Sequence, residues 1–184
     1  MQAAALEMLG SSLPGRTLQI ACVYGEFMPK LHARVEASGG ALDVVDVVQA
    51  QLDNLKRKLP VKNTVRFWNM DSSNLALPGA SYDRVILFFL MHEQPFAIRQ
   101  RTISEAFRVV KPGGSVVFVE FSKPKWWHPL RYIYLPLLKY FEPFAPDIWD
   151  HDDVAFWLSK PWCERIEKRR FLFGHYYQVL MVRG

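Results

Sequence analysis

The sequence predicts an α/β domain with a mostly parallel sheet, and three observations carry that expectation. Residues 17–35, TLQIACVYGEFMPKLHARV, read as an apolar strand (Leu18, Ile20, Cys22), a turn at Tyr24-Gly25 and a helix. The helix places Phe27, Leu31 and Val35 at i, i+4 and i+8, so that one face packs on a sheet. Apolar runs then alternate with helical stretches along the chain, and the second of those runs is near-continuous, as suits a parallel strand buried on both faces. Half of the 184 residues are apolar and only 22% are charged, which fits one domain with a substantial core and argues against disorder.

Each element follows from local chemistry. The first strand ends in a tight turn at a helix N-terminus, where free N–H groups and the positive helix end meet the ligand in nucleotide-binding α/β domains. Ser38-Gly39-Gly40 breaks the first helix, and residues 41–48 (ALDVVDVV) form a strand interrupted by Asp43 and Asp46. Asp46 falls at its end, where an acidic side chain accepts hydrogen bonds from ribose hydroxyls in dinucleotide folds. The alternative for Asp46 is an ordinary cap on the helix over residues 49–59, which Pro60 ends. Residues 64–68 give a third strand leading to Asp71-Ser72, a solvated turn in its plainest reading. Residues 83–90 (DRVILFFL) are the most apolar stretch and hence a central strand, ending in Met91-His92-Glu93-Gln94-Pro95. Residues at the carboxyl end of a central strand face the ligand crevice, so His92 and Glu93 are candidates for chemistry, with a structural His92 the equal alternative. A helix over residues 94–110 precedes the turn Lys111-Pro112-Gly113-Gly114 and a fifth strand. Residues 165–173 and 176–183 read as two strands joined at Gly174-His175.

Cys22 and Cys163 give no disulfide framework or zinc spacing, which makes a reducing compartment the default. The net charge of +5 and pI near 9.3 call for a polyanionic partner. Nucleic acid lacks a supporting motif, which leaves an anionic membrane surface. No apolar run approaches the roughly 18–20 residues that span a bilayer, and residues 1–16 lack the pattern of a signal peptide. Residues 123–157 interleave tryptophans, tyrosines and phenylalanines with Lys123, Lys125, Arg131 and Lys139, and are kinked at Pro129, Pro136, Pro143 and Pro146. They read as a lid for a greasy ligand, with a helical insertion packed on the sheet as the alternative. The lid also holds His128, Asp147, Asp150, His151, Asp152 and Asp153, donors that suit a divalent ion such as manganese or simply cap the following helix.

The strand-turn-helix resembles the cofactor loop of the class I S-adenosylmethionine (SAM) methyltransferases, which reads apolar-apolar-Asp/Glu-apolar-Gly-x-Gly-x-Gly. On that pattern Gln19 takes the acidic position, Ala21 and Val23 replace the first two glycines, and Gly25 remains. The resemblance implies a Rossmann-like class I methyltransferase fold over residues 1–184, a mostly parallel seven-stranded sheet with a C-terminal antiparallel hairpin and a lid insertion at about 123–157. It implies a SAM site formed by Gln19, Cys22, Val23, Tyr24, Gly25, Asp46, Val47, Gln51, Asp71, Ser72 and Phe88, with Asp71 at the adenine amine. Enzymes of this fold carry more residues before the first strand, so a truncated N-terminus is expected.

Glu120-Phe121-Ser122-Lys123-Pro124 resembles the ubiquinone and menaquinone biosynthesis methyltransferases. The altered loop, residues 88–95 (FFLMHEQP) and Trp127-His128-Pro129-Leu130-Arg131 resemble the rhodoquinone biosynthesis proteins. That second likeness implies replacement of a ring methoxy of ubiquinone by an amino group, with SAM as nitrogen donor and manganese assisting. With that reaction, His92, Glu93, Tyr24 and His128 are the candidate catalytic residues and His92, Glu93 and His128 the candidate metal ligands, while Trp126, Trp127 and the nearby lysines point to a peripheral location on the cytoplasmic face of the inner membrane or its mitochondrial equivalent, without nucleic acid. Neutral Gln19 would then free the cofactor amine that a carboxylate keeps protonated. Two alternatives stand beside it: an ordinary SAM-dependent quinone or lipid methyltransferase, and a binding-only partner in quinone synthesis.

Overall fold

The computed structural model describes residues 2–61, 63–121, 127, 129, 131–144, 165–171 and 177–183. In chain order the elements are α1 (Gln2–Leu9), β1 (Arg16–Ile20), α2 (Phe27–Ala37), β2 (Ala41–Asp46), α3 (Gln49–Lys58), β3 (Arg66–Asn69) and β4 (Tyr82–Phe88). A 3-10 turn (Met91–Glu93), α4 (Phe96–Val109), β5 (Val110–Phe121), α5 (Arg131–Phe141), β6 (Arg165–Phe171) and β7 (Tyr177–Arg183) follow. The strands form one sheet in the order β3-β2-β1-β4-β5-β7-β6. The first five are parallel, whereas β7 pairs antiparallel with both β5 and β6. The Gly174-His175 connection lies outside the described residues.

Period-two alternation divides the core between the two faces of the sheet. Val85 and Leu87 of β4 and Val116 and Phe118 of β5 pack with Ile103, Ala106 and Phe107 of α4. Their neighbours Ile86, Phe88, Val117 and Val119 face the other way, onto Phe27, Leu31 and Val35 of α2, Leu52 and Leu55 of α3, and α1. Burying each such side chain contributes roughly 1.5–3 kcal/mol, so the apolar strand residues fix the register of the layers. The helix α2 closes on Gly39, at φ +66, whose N–H donates to the carbonyl of Glu36.

The strands are shorter than their apolar runs suggest, and the causes coincide at one edge. The apolar run of the first strand reaches Cys22, but β1 stops at Ile20 because Ala21 turns to φ +67. The second run reaches Val48, but β2 stops at Asp46, whose carboxylate accepts the Val48 N–H. The fourth reaches Leu90, but β4 stops at Phe88 because Phe89 turns to φ +51. A non-glycine residue in the left-handed region is uncommon, and two of them end the two central strands at their carboxyl edge. The Lys111-Pro112-Gly113-Gly114 turn is absorbed into β5 as an irregularity opposite Asp83: Tyr82 pairs with Val110 and Arg84 with Ser115. Gly113 sits at φ +76, and a Cβ on Gly114 would meet the Asp83 carbonyl at 2.9 Å, so the bulge needs both glycines.

Candidate functional site

The chain exits from β1, β2 and β4 enclose a cavity of about 570 Å³ at the carboxyl edge of the sheet, within the usual range for small-molecule sites. Cys22, Val23 and Tyr24 line it from the first loop, Asp46, Val47 and Gln51 from the second, and Asp71, Ser72 and Phe88 from the third and fourth strands. These nine sequence-predicted residues line this one cavity, and Glu93 joins them. Two others do not line it. Gly25 lies behind the loop at φ +81, where a Cβ would meet Gln2 Nε2 at 3.3 Å. Gln19 is fully buried beneath the floor, and its amide N–H groups donate to the carbonyls of Ile20 and Ala21 at 3.0 and 2.9 Å. It therefore braces the loop from behind.

The lining is held by backbone geometry. Asp46 accepts from the Cys22 N–H at 2.7 Å through Oδ2 and from the Val48 N–H at 2.8 Å through Oδ1, so one carboxylate sets both loops. Asp71 Oδ1 accepts the Ser73 N–H at 2.8 Å. The Tyr24 hydroxyl accepts from Gln51 Nε2, and the Tyr24 carbonyl accepts from Gln2 Nε2, which brings α1 over the mouth. The Cys22 thiol is pushed up to about 12 by burial and by the Asp46 charge, so it is no nucleophile at neutral pH.

His92 stands one layer back. It is buried, its Nδ1 lies 2.7 Å from Glu120 Oε1, and its ring packs edge-on against Phe89. Glu120 Oε2 also accepts the N–H groups of Met91 and His92. Burial opposes the imidazolium, yet the Glu120 hydrogen bond and the carboxylates of Glu120, Glu142 and Glu93 raise the His92 pKa above its ordinary value. Burial, and then the Glu142, Glu120 and Asp46 charges, raise the Glu93 carboxyl, with His92 partly offsetting them. Buried Arg99 fixes this corner, donating through Nε to the Met91 carbonyl and through Nη2 to those of Gln94 and Phe144.

The expected metal set does not form from the described residues. His92 Nδ1 is engaged by Glu120, its Nε2 is 4.0 Å from Glu142, and among the described residues no three His, Cys, Asp or Glu side chains are grouped to hold an ion. His128, the other donor expected, lies outside the described residues, as do Asp147, Asp150, His151, Asp152 and Asp153. Sequence reasoning missed Glu120 as the partner of His92, because nothing in a run of β-strand residues marks which inward side chain is charged. It also missed Gln2 and Gln94 on the cavity wall.

The charge balance of the wall is one-sided. Asp46, Asp71 and Glu93 line the cavity, and no Lys, Arg or His does among the described residues, although the chain as a whole is at +5. Such a site attracts a cationic ligand.

The sequence profile described as "Methyltransferase domain" matches residues 17–114, just over half of the chain. The chain belongs to the methyltransferase domain family. The matched part of this methyltransferase domain holds every lining residue except Gln2. The chain is 35% identical over 127 residues to a demethylmenaquinone methyltransferase of Deinococcus radiodurans, covering 67% of this chain and 49% of that one. It is 28% identical over 122 residues to a ubiquinone/menaquinone biosynthesis C-methyltransferase of Coxiella burnetii, covering 65% and 47%. The chain thus spans about half the length of these relatives. Among solved structures, the N-methyltransferase NodS from Bradyrhizobium japonicum superposes with a TM-score of 0.73 over 100% of this chain and 93% of that one, at 15% identity, a likeness of fold.

Proposed function

We propose that this domain transfers a methyl group from SAM to a ring acceptor of the quinone class. The observation that carries the reading is the cavity with three carboxylates and no cationic side chain, at the carboxyl edge of the central strands of a methyltransferase-family sheet. Support for the acceptor class comes from the relatives, whose names specify demethylmenaquinone and ubiquinone/menaquinone chemistry.

SAM supplies an electrophilic methyl on a sulfonium, and the residues present fit it. Asp46 keeps lone pairs beside its two amide bonds to receive ribose hydroxyls. The resemblance puts Asp71 and Ser72 at the adenine amine, both line the cavity, and Val23 and Phe88 give it apolar wall. Glu93, the wall carboxylate with a raised pKa, takes the proton that the acceptor, in its reduced quinol form, loses as its ring carbon or hydroxyl oxygen bonds the methyl carbon and the S–CH3 bond breaks to leave SAH. His92 and Glu120 position the turn that carries Glu93.

A second reading, replacement of a ring methoxy by an amino group with SAM as nitrogen donor, is favoured by the first loop. There the side chain of Gln19 is buried beneath the floor, so Val23 and Tyr24 meet the amino acid end of SAM without a carboxylate from β1. One experiment separates the two: incubation of the protein with ubiquinone or a demethylated precursor and SAM labelled with carbon-13 in the methyl and nitrogen-15 in the amine, read by mass spectrometry. A carbon-13 methyl in the quinone supports the first reading and nitrogen-15 the second. Absence of both labels, with no SAM or S-adenosylhomocysteine (SAH) binding by calorimetry, overturns both.

A further inference from the structure

The helix α5 presents a face that no other described residue covers. At about 100° per residue, Tyr132, Pro136, Tyr140, Ile133, Leu137 and Phe141 fall in that order across one half of its circumference, and all six are exposed. Tyr140 is 81% and Ile133 69% exposed. Leu135, on the opposite side, packs against the core beneath α4. Half the helix surface is therefore apolar, aromatic-rich and in water, which a soluble domain does not keep without a partner.

We propose that this face is a lipid-docking surface that seats the domain on an anionic bilayer, with α5 lying in the interfacial plane. Charge complementarity selects the occupant. Residues 121–141 contain Lys123, Lys125, Arg131 and Lys139 and no Asp or Glu, so four of the charges behind the net +5 fall in this one stretch. A protein groove would pair with apolar contact alone, whereas an anionic lipid surface uses both the cations and the tyrosines, whose rings prefer the headgroup level. Exposed Trp127 adds a further interfacial side chain just before the helix. At 11 residues α5 is about 16 Å long, too short to cross a bilayer, and among the described residues no helix is long and apolar enough to do so.

The position of α5 gives the docking a use. Glu142, the residue after the helix, lies 4.0 Å from His92 Nε2, and the Phe144 carbonyl accepts from Arg99. The lipid-facing helix thus ends against the turn that places Glu93 on the cavity wall. This inference rests on the proposed function only in that an apolar acceptor would enter from the same side; the docking itself needs no catalysis.

The test is flotation of the full chain, without SAM, with vesicles of phosphatidylcholine alone and of phosphatidylcholine with phosphatidylglycerol. Binding to the anionic vesicles, falling as ionic strength is raised, is the expected result. An Ile133→Ser, Leu137→Ser double variant should partition about tenfold more weakly or less, with an unchanged melting temperature because both side chains are exposed. Lys139→Glu should weaken binding to anionic vesicles and leave any residual binding to neutral ones unaltered. Wild-type protein that stays with neither vesicle overturns the proposal, as does a lipid-free dimer that Ile133→Ser, Leu137→Ser dissociates, since a second copy would then be the occupant. Vesicle binding without methyl or amino transfer would refute the proposed function and leave this surface standing.

Discussion

Replacing Asp46 with Asn tests the site and the fold at once. The carboxylate accepts the Cys22 N–H at 2.7 Å and the Val48 N–H at 2.8 Å, one on each oxygen. An amide of the same shape keeps one acceptor and turns an NH2 group toward the other donor, so one backbone N–H loses its partner at a cost of about 1–3 kcal/mol. For a domain of this size that corresponds to a melting temperature lower by roughly 2–10 °C. Asp46→Asn also removes one of the three carboxylates on the cavity wall. Hydrogen bonds to a charged acceptor are about twice as strong as neutral ones, so SAH should bind about tenfold more weakly. The loss for SAM should be larger, since only SAM carries the sulfonium that the carboxylate attracts. Differential scanning fluorimetry and titration calorimetry with both ligands read these effects. A melting temperature and two affinities equal to those of the wild type would refute the assignment of Asp46.

Three further outcomes are expected. Ala21 sits at φ +67, so Ala21→Gly should leave the melting temperature unchanged or raised, about 1–2 kcal/mol of strain being relieved against about 0.5–1 of added chain entropy, whereas Ala21→Val should lower it by several degrees; the reverse order would contradict the left-handed geometry. Gln19→Glu sets a carboxylate against the carbonyls of Ile20 and Ala21 in a fully buried position, and should lower stability by about 3 kcal/mol or more, read as a reduced urea midpoint; a wild-type midpoint would show that the side chain does not face those carbonyls. The folded state raises the His92 pKa, so its stabilisation is complete below the unfolded value and is lost as pH rises through the folded one. The stability gap between wild type and His92→Asn should therefore shrink from mildly acidic to alkaline pH in urea titrations, and a gap independent of pH would exclude the Glu120 pairing.

The strands and helices were legible because burial leaves a periodic trace: Phe27, Leu31 and Val35 name the packed face of α2, and residues 83–90 name a central strand. Residues at strand ends were legible for the same reason, since Asp46, Asp71 and Glu93 follow apolar runs and the crevice of a parallel sheet opens there. Orientation was not. Nothing in TLQIA says that Gln19 turns its amide back on its own loop, because that choice depends on Ala21 adopting a positive φ. The expected metal ligands His92 and Glu93 part for a related reason: adjacent residues in a 3-10 turn point apart, so one meets Glu120 behind the sheet edge and the other faces the cavity. The overlong ends expected of β1 and β4 have one source, two left-handed residues that periodicity does not record.

The buried guanidinium of Arg99 makes the two ends of the molecule's business mechanically continuous. It is planar and rigid, and it grips the Met91 and Gln94 carbonyls on one side and the Phe144 carbonyl on the other. The segment just after α5 and the turn that carries Glu93 are therefore held by the same guanidinium. The proposed docking face and the cavity wall thus share one buried anchor.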